Sequence, residues 1–122
     1  MNEYRTIIMY SHDLKREVRV FLMLPSTYYK SQRNYPVLYM HDGQNLFDSK
    51  LAYGGDSWGI FEAYKNNPDL PQIIVVGIEN GQSERTNELV PFKFNFANIG
   101  APEHGDALVG GKADLYYNFI LN

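Results

Sequence analysis

Tyr35-Pro36-Val37-Leu38-Tyr39-Met40-His41-Asp42-Gly43-Gln44-Asn45-Leu46-Phe47-Asp48 is the stretch that decides the fold. An apolar run opened by a proline stops abruptly at a polar turn built on Gly43. Val37 to Met40 reads as a buried strand, and Pro36 is tolerated because the ladder is only beginning there. The turn that follows reads as a loop lining a site, since ligands in open α/β sheets bind at the carboxyl ends of the strands.

Upstream, Tyr4 to Tyr10 reads as a strand centred on Ile7, Ile8 and Met9. Glu17 to Leu24 reads as a second, stopped by Pro25. The turn residues Ser11-His12-Asp13 between them predict an antiparallel hairpin. Ser26 to Asn34 is polar and crosses the surface.

Downstream, Asp42 to Gly55 reads as a loop. Trp58 to Asn66 reads as a helix with Asp56 or Ser57 as its N-cap. Ile73-Ile74-Val75-Val76-Gly77-Ile78 is a continuous, β-branched run, as in a parallel strand covered on both faces. Strand, helix and strand from Val37 to Ile78 make a βαβ unit. Glu79 to Gly111 shows no clear periodicity, although Phe92, Phe94 and Phe96 argue against disorder. Leu115, Tyr116, Phe119 and Ile120 form a helical stripe within 112–121. That helix runs to Asn122 without a C-cap signal and reads as cut rather than finished.

Composition narrows the function classes. With 122 residues there is room for one domain with a real core and not for two. A net charge of −3 without a basic run predicts no nucleic-acid surface. The absence of cysteine excludes disulfides, thiol catalysis and cysteine metal sites. No apolar run is long enough to span a bilayer, so no membrane partner is expected. Met1-Asn2-Glu3-Tyr4-Arg5 has no signal-peptide character, which makes a cytoplasmic location the expectation.

Together, the segments 35–43 and 73–80, the helix at Trp58 and the pattern Arg85…Glu88…Pro91 resemble the putative-esterase family of α/β-hydrolases, which includes enterochelin esterase-like, feruloyl esterase-like and esterase D-like enzymes. The resemblance covers the chain from about residue 5 onward, and only the N-terminal half of a family member. It implies an incomplete α/β-hydrolase domain over 1–122, an antiparallel hairpin followed by βαβ. It also implies ester hydrolysis by a Ser, acid, His triad whose three members all lie beyond Asn122. The loop after the third strand would then supply a backbone donor of the oxyanion hole, at Gly43 and Gln44. Where many relatives carry His-Gly, this chain has His41-Asp42-Gly43, like the enterochelin esterase-like branch. Asp42, Asn45, Trp58, Arg85 and Glu88 become candidates for the substrate pocket. The implied partner is a small-molecule ester, with no cofactor and no metal.

Each candidate has a plainer reading beside it. His41 either lines the site or anchors the loop. Asp42 either binds a polar substrate or fixes the turn. Trp58, the only tryptophan, either walls a pocket or joins the core. Arg85 and Glu88 either hold the long loop over the site through an ion pair or are solvated surface charges. The three phenylalanines form a substrate wall or a satellite core. His104 and Asp106 supply two metal ligands without a third.

Gly55-Asp56-Ser57-Trp58-Gly59 fits the G-x-S-x-G string. A nucleophile elbow needs a buried strand directly before it, and residues 48–54 are polar and glycine-rich, so Ser57 is rejected as nucleophile. Gly54-Gly55 and Gly110-Gly111 do not fit a phosphate-binding loop. Two functions stay open: part of a serine esterase, or a non-catalytic relative acting as an interaction module, associating through an unpaired sheet edge.

Overall fold

The computed structural model describes residues 3–122. The reading of Met1 and Asn2 lies outside the described residues. The chain divides into two compact units: residues 17–80 with the strand residues up to Met9, and residues 10–16 with 81–122.

The first unit carries a four-stranded mixed sheet in the order β1-β2-β4-β3, from β1 (Glu3–Ser11), β2 (Arg16–Leu24), β3 (Val37–Met40) and β4 (Ile74–Ile78). β1 and β2 are neighbours joined through residues 12–15, a link too short for a parallel crossover. β2 pairs with β4 antiparallel, from Val20 opposite Ile78 to Met23 opposite Val75. β3 pairs with β4 in parallel, from Val37 opposite Ile74 to Met40 opposite Gly77. Helix α1 (Ile60–Asn66) lies between β3 and β4 in sequence, which completes the expected βαβ unit.

The core of this unit is built from Phe21, Met23, Leu46, Phe47 and Val75, with Met40, Ile60, Phe61, Tyr64 and Ile73 packed against it. Leu46 and Phe47 come from the loop after β3, so the loop itself supplies core. Tyr4 on β1 stacks on Phe47 at 4.9 Å and meets Phe61 edge-on at 5.4 Å. Met23 and Leu46 are fully buried, and truncating such a side chain to Ala costs about 2–5 kcal/mol.

Two expectations need correction here. Val37, Leu38 and Tyr39 are exposed rather than buried, because β3 stands at the edge of the sheet with one strand edge unpaired among the described residues. The helix begins at Ile60, not Trp58, and its N-cap is Gly59 at φ 71°, not Asp56 or Ser57. The physical reason is a pair of ties back to the preceding loop: Trp58 N–H donates to the Asn45 carbonyl at 2.7 Å and Ile60 N–H to the Leu46 carbonyl at 3.2 Å. Those bonds fix residues 58–60 before the helical ladder starts.

The second unit contains α2 (Arg85–Leu89), the two-stranded antiparallel pair β5 (Lys93–Phe94) and β6 (Val109–Gly110), and α3 (Ala113–Leu121). Segment 79–111, which shows no period in sequence, is thus organised. Its elements are too short to repeat a pattern. In α3, Tyr116 is buried.

One contact in the first unit has no room in it. A Cβ on Gly43 would lie 2.4 Å from the Gly77 carbonyl carbon and 2.6 Å from the Ile78 nitrogen. A Cβ on Gly77 would meet Leu46 Cδ1 at 2.5 Å and Gly43 Cα at 3.1 Å. Only glycine at both positions lets the loop backbone rest on the β4 backbone. Gly43→Ala therefore destabilises the chain by about 1–3 kcal/mol, read as a lowered urea midpoint. Gly77→Ala costs less, since the Leu46 methyl can turn aside and a backbone cannot.

Candidate functional site

β3 ends at Met40, and the chain leaves the sheet through His41 and Asp42. Asp42 adopts the left-handed conformation, φ 54° and ψ 47°, and a short 3-10 turn follows over Gly43–Asn45. Asp and Asn tolerate this conformation better than other non-glycine residues. It reverses the chain so that Gly43 returns over Gly77. Gly43 and Gln44 are buried, Asp42 and Asn45 half-buried, and His41 exposed.

Hydrogen bonds hold the turn from both sides. Asn45 N–H donates to the Asp42 carbonyl at 2.9 Å, and Leu46 N–H to the Gly43 carbonyl at 3.2 Å. A 3-10 turn begins its bonding only with its third N–H, so those of Gly43 and Gln44 have no acceptor within the turn. From the end of β4, Asn80 N–H donates to Gln44 Oε1 at 3.2 Å and Asn80 Nδ2 to Asp42 Oδ1 at 2.8 Å. Asp42 Oδ1 is thereby engaged inside the protein and ties the turn to the end of β4. Burial of Gln44 is explained in the same way, since its amide oxygen accepts a backbone donor.

The end of β4 is itself anchored. Glu79 N–H donates to the Arg19 carbonyl at 2.9 Å, extending the ladder past Ile78. The buried Glu79 carboxylate accepts from Arg19 Nη2 at 2.5 Å and from Arg19 N–H at 3.3 Å. That guanidinium also lies 5.7 Å from the centre of the Phe21 ring. Hydrogen bonding to Glu79 raises the Arg19 pKa above its ordinary value.

Asn45 acts as a pin. Its carbonyl takes Trp58 N–H, and its Oδ1 takes Tyr53 N–H at 2.8 Å. Trp58 is exposed and not part of the core. Ser57 N–H donates to Ser49 Oγ at 3.1 Å, and Ser57 Oγ accepts from Gly59 N–H at 3.2 Å. Residues 53–55 before it form a 3-10 turn rather than a strand, so the elbow geometry is missing and Ser57 is a turn residue.

Arg85 and Glu88 belong to the second unit. Glu88 is buried and takes a two-pronged bond from Arg16, Nε to Oε2 at 3.0 Å and Nη2 to Oε1 at 2.7 Å. It is no solvated charge. It fastens α2 to the hairpin turn, where Ser11 Oγ accepts from Leu14 N–H at 3.0 Å. Arg85 opens α2 and is exposed. Asn87 donates to Glu84 Oε2 at 2.8 Å and accepts Gly110 N–H at 2.8 Å, and Lys112 Nζ reaches Glu84 at 3.2 Å. The bond from Asn87, then that from Lys112, holds the Glu84 carboxyl below its ordinary range. A depressed carboxyl stabilises the fold above its unfolded pKa and stops doing so as pH falls through its folded one.

Phe94 lies 6.2 Å from Phe92 and 5.1 Å from Phe96, and His104 lies 5.1 Å from Phe96, all as ring-centre distances. His104 is thus an aromatic partner. Among the described residues no group of three or more His, Asp or Glu side chains could hold a metal ion, and no helix is long and apolar enough to cross a membrane.

The sequence profile described as putative esterase matches residues 11–120. The chain belongs to that family. Among solved structures, an IroE-like serine hydrolase from Shewanella oneidensis is similar at 27% identity and a TM-score of 0.70, over 98% of this chain and 36% of that one. The BES protein of Bacillus cereus is similar at 16% identity and a TM-score of 0.59, over 96% and 42% of the two chains. An enterochelin esterase from Shigella flexneri is similar in fold at 22% identity and a TM-score of 0.51, over 71% and 20%. The chain thus spans less than half the length of each of these relatives. No curated protein sequence matches it. The mixed sheet is that of the N-terminal part of an α/β-hydrolase.

Asn80 was not singled out as a site residue from the sequence. Its place directly after the β4 run, at the carboxyl end of a parallel strand, was the available signal. For the second unit, Glu88→Ala leaves the Arg16 guanidinium without its carboxylate. A loss of about 3 kcal/mol is expected, the lower end for a buried pair because Arg16 is partly exposed. Urea denaturation monitored through near-ultraviolet tyrosine signals measures it.

Proposed function

We propose that this chain forms the N-terminal part of a serine esterase that hydrolyses a small-molecule carboxylic ester, and that it supplies the oxyanion loop. The observation that carries this reading is the buried turn at residues 42–44. It lies at the carboxyl end of β3 in a chain of an esterase family, and leaves the Gly43 and Gln44 N–H groups outside its own hydrogen bonding. Fixed backbone donors aimed at a developing oxyanion lower the barrier, and losing one costs roughly 3 kcal/mol. The turn is held by protein hydrogen bonds, so little reorganisation is needed as charge appears.

On this reading the nucleophile, acid and histidine come from residues that follow Asn122. Trp58 and Asn45 border the loop, with Trp58 as an exposed wall for the substrate. Asp42 acts through the turn rather than on substrate. Arg85 and Glu88 contribute by ordering the second unit. Neither cofactor nor metal is required on this reading, which takes a cytoplasmic location with it.

A second reading is favoured by β3. Its side chains Val37, Leu38 and Tyr39 are 44%, 46% and 55% exposed at the sheet edge, and an apolar open edge recruits another strand. As a non-catalytic module the chain would self-associate there.

Hydrolysis of p-nitrophenyl acetate separates the two. Residues 1–122 alone are expected to show no turnover above background. A polypeptide that continues past Asn122 through the rest of the family fold is expected to turn over ester and to react with a fluorophosphonate. Labelling of Ser57 in the short chain would overturn the assignment. Size-exclusion chromatography reports on the second reading, where a stable monomer at high concentration counts against association through β3.

A further inference from the structure

We infer that Asn80 is a positioning residue for the oxyanion loop, an assignment that rests on the esterase reading above. Asn80 reaches the turn with two groups at once. Its backbone N–H holds Gln44 Oε1 at 3.2 Å and its side-chain Nδ2 holds Asp42 Oδ1 at 2.8 Å. These two contacts straddle Gly43, the residue pressed on the β4 backbone. The orientation of the Gly43 and Gln44 N–H groups is therefore set by three points: the glycine contact beneath, Asp42 on one side and Gln44 on the other.

The Asp42 contact bears on conformation as well as position. Asp42 stands at φ 54°, a region that side-chain-bearing residues seldom occupy. A hydrogen bond on its carboxylate favours the backbone that presents that carboxylate to β4. Asn80 is in turn fixed by its neighbour, because Glu79 grips both the backbone and the guanidinium of Arg19. A chain of contacts thus runs from β2 through the end of β4 to the turn, all within the first unit. Asn80 needs no contact with substrate in this role.

The experiment uses three variants: Asn80→Ala, Asn80→Asp and the exchange Asp42→Asn with Asn80→Asp. The exchange reverses the direction of the side-chain bond and keeps it. In the 122-residue chain, 15N relaxation reads the loop directly. The Gly43 and Gln44 amides are expected near the rigid value of about 0.85 in the wild type, and measurably lower at Gly43 in Asn80→Ala, which removes the Asp42 bond and leaves the backbone bond to Gln44 Oε1, with the exchange restoring it. Unchanged order parameters at both amides in Asn80→Ala and Asn80→Asp would overturn the assignment.

In the polypeptide that continues past Asn122, p-nitrophenyl acetate kinetics read the consequence. Asn80→Ala is expected to lower kcat by ten- to a hundredfold, as about 1 Å of misplacement does, with KM within about twofold. Asn80→Asp, which sets two carboxylates face to face, should fall further, and the exchange should regain at least tenfold over it. Equal kcat in wild type and Asn80→Ala overturns the positioning role. Absence of turnover in the wild type overturns the esterase reading instead, and the relaxation data then decide whether Asn80 orients the loop.

Discussion

Backbone resting on backbone, at Gly43 and Gly77, is the constraint on which the first unit depends. Two segments that meet without side chains between them have no tolerance for displacement. Everything near the contact follows from it. β4 must keep its register with β3, so that Gly77 arrives opposite Met40 and beneath the loop. Asp42 must take the left-handed conformation for the chain to turn back. Leu46 and Phe47 can then drop into the core from the loop's far side, which converts a connecting segment into a packed element. Loops of ordinary proteins lie on the surface because their polar backbone must be satisfied. This one is buried because Leu46 and Phe47 enter the core, while the 3-10 turn bonds the Asn45 and Leu46 N–H groups and leaves those of Gly43 and Gln44 outside that bonding.

The two units use opposite means of cohesion. The first is an apolar core between a sheet and a helix, with Arg19 and Glu79 meeting at its margin. In the second, Tyr116 is the buried hydrophobic side chain among the described residues, and polar ties join its elements. Arg16 and Glu88 join residues 72 apart in sequence, while Asn87, Glu84 and Lys112 bind α2 to the approach of α3. Buried ion pairs are weak sources of net stability compared with apolar packing, yet costly to break from one side.

Much of the first unit was legible in the sequence. Val37–Met40 and Ile74–Ile78 are found where their β-branched and aromatic runs place them, and the short link after Ser11 does specify a hairpin. The start of α1 was not legible. Trp58 and Gly59 look helical by composition, and only the tertiary bonds to Asn45 and Leu46 show that they are spent elsewhere. The exposure of β3 was not legible either, because an apolar strand reads the same whether or not a neighbour covers it. In the second unit, a five-residue helix and two-residue strands are shorter than any period that could reveal them. At the site, Gly43 and its surroundings could be nominated from residue order. The partners of Asp42 and Gln44 could not, since Asn80 lies 38 and 36 residues further along.

The strand order β1-β2-β4-β3 has a consequence for the birth of the chain. β2 ends at Leu24, but the partner that covers its second edge is not complete until Ile78. At a synthesis rate of about 5–20 residues per second, the interval is roughly 3–10 seconds. Throughout it, the hairpin emerges from the ribosome with Val18, Val20, Phe21 and Met23 awaiting their cover. Long-range pairing of this kind is slow even in a finished chain. The nascent protein therefore presents a sticky strand for longer than a chain collapse takes, and the period before β4 is made is when a chaperone has most to protect.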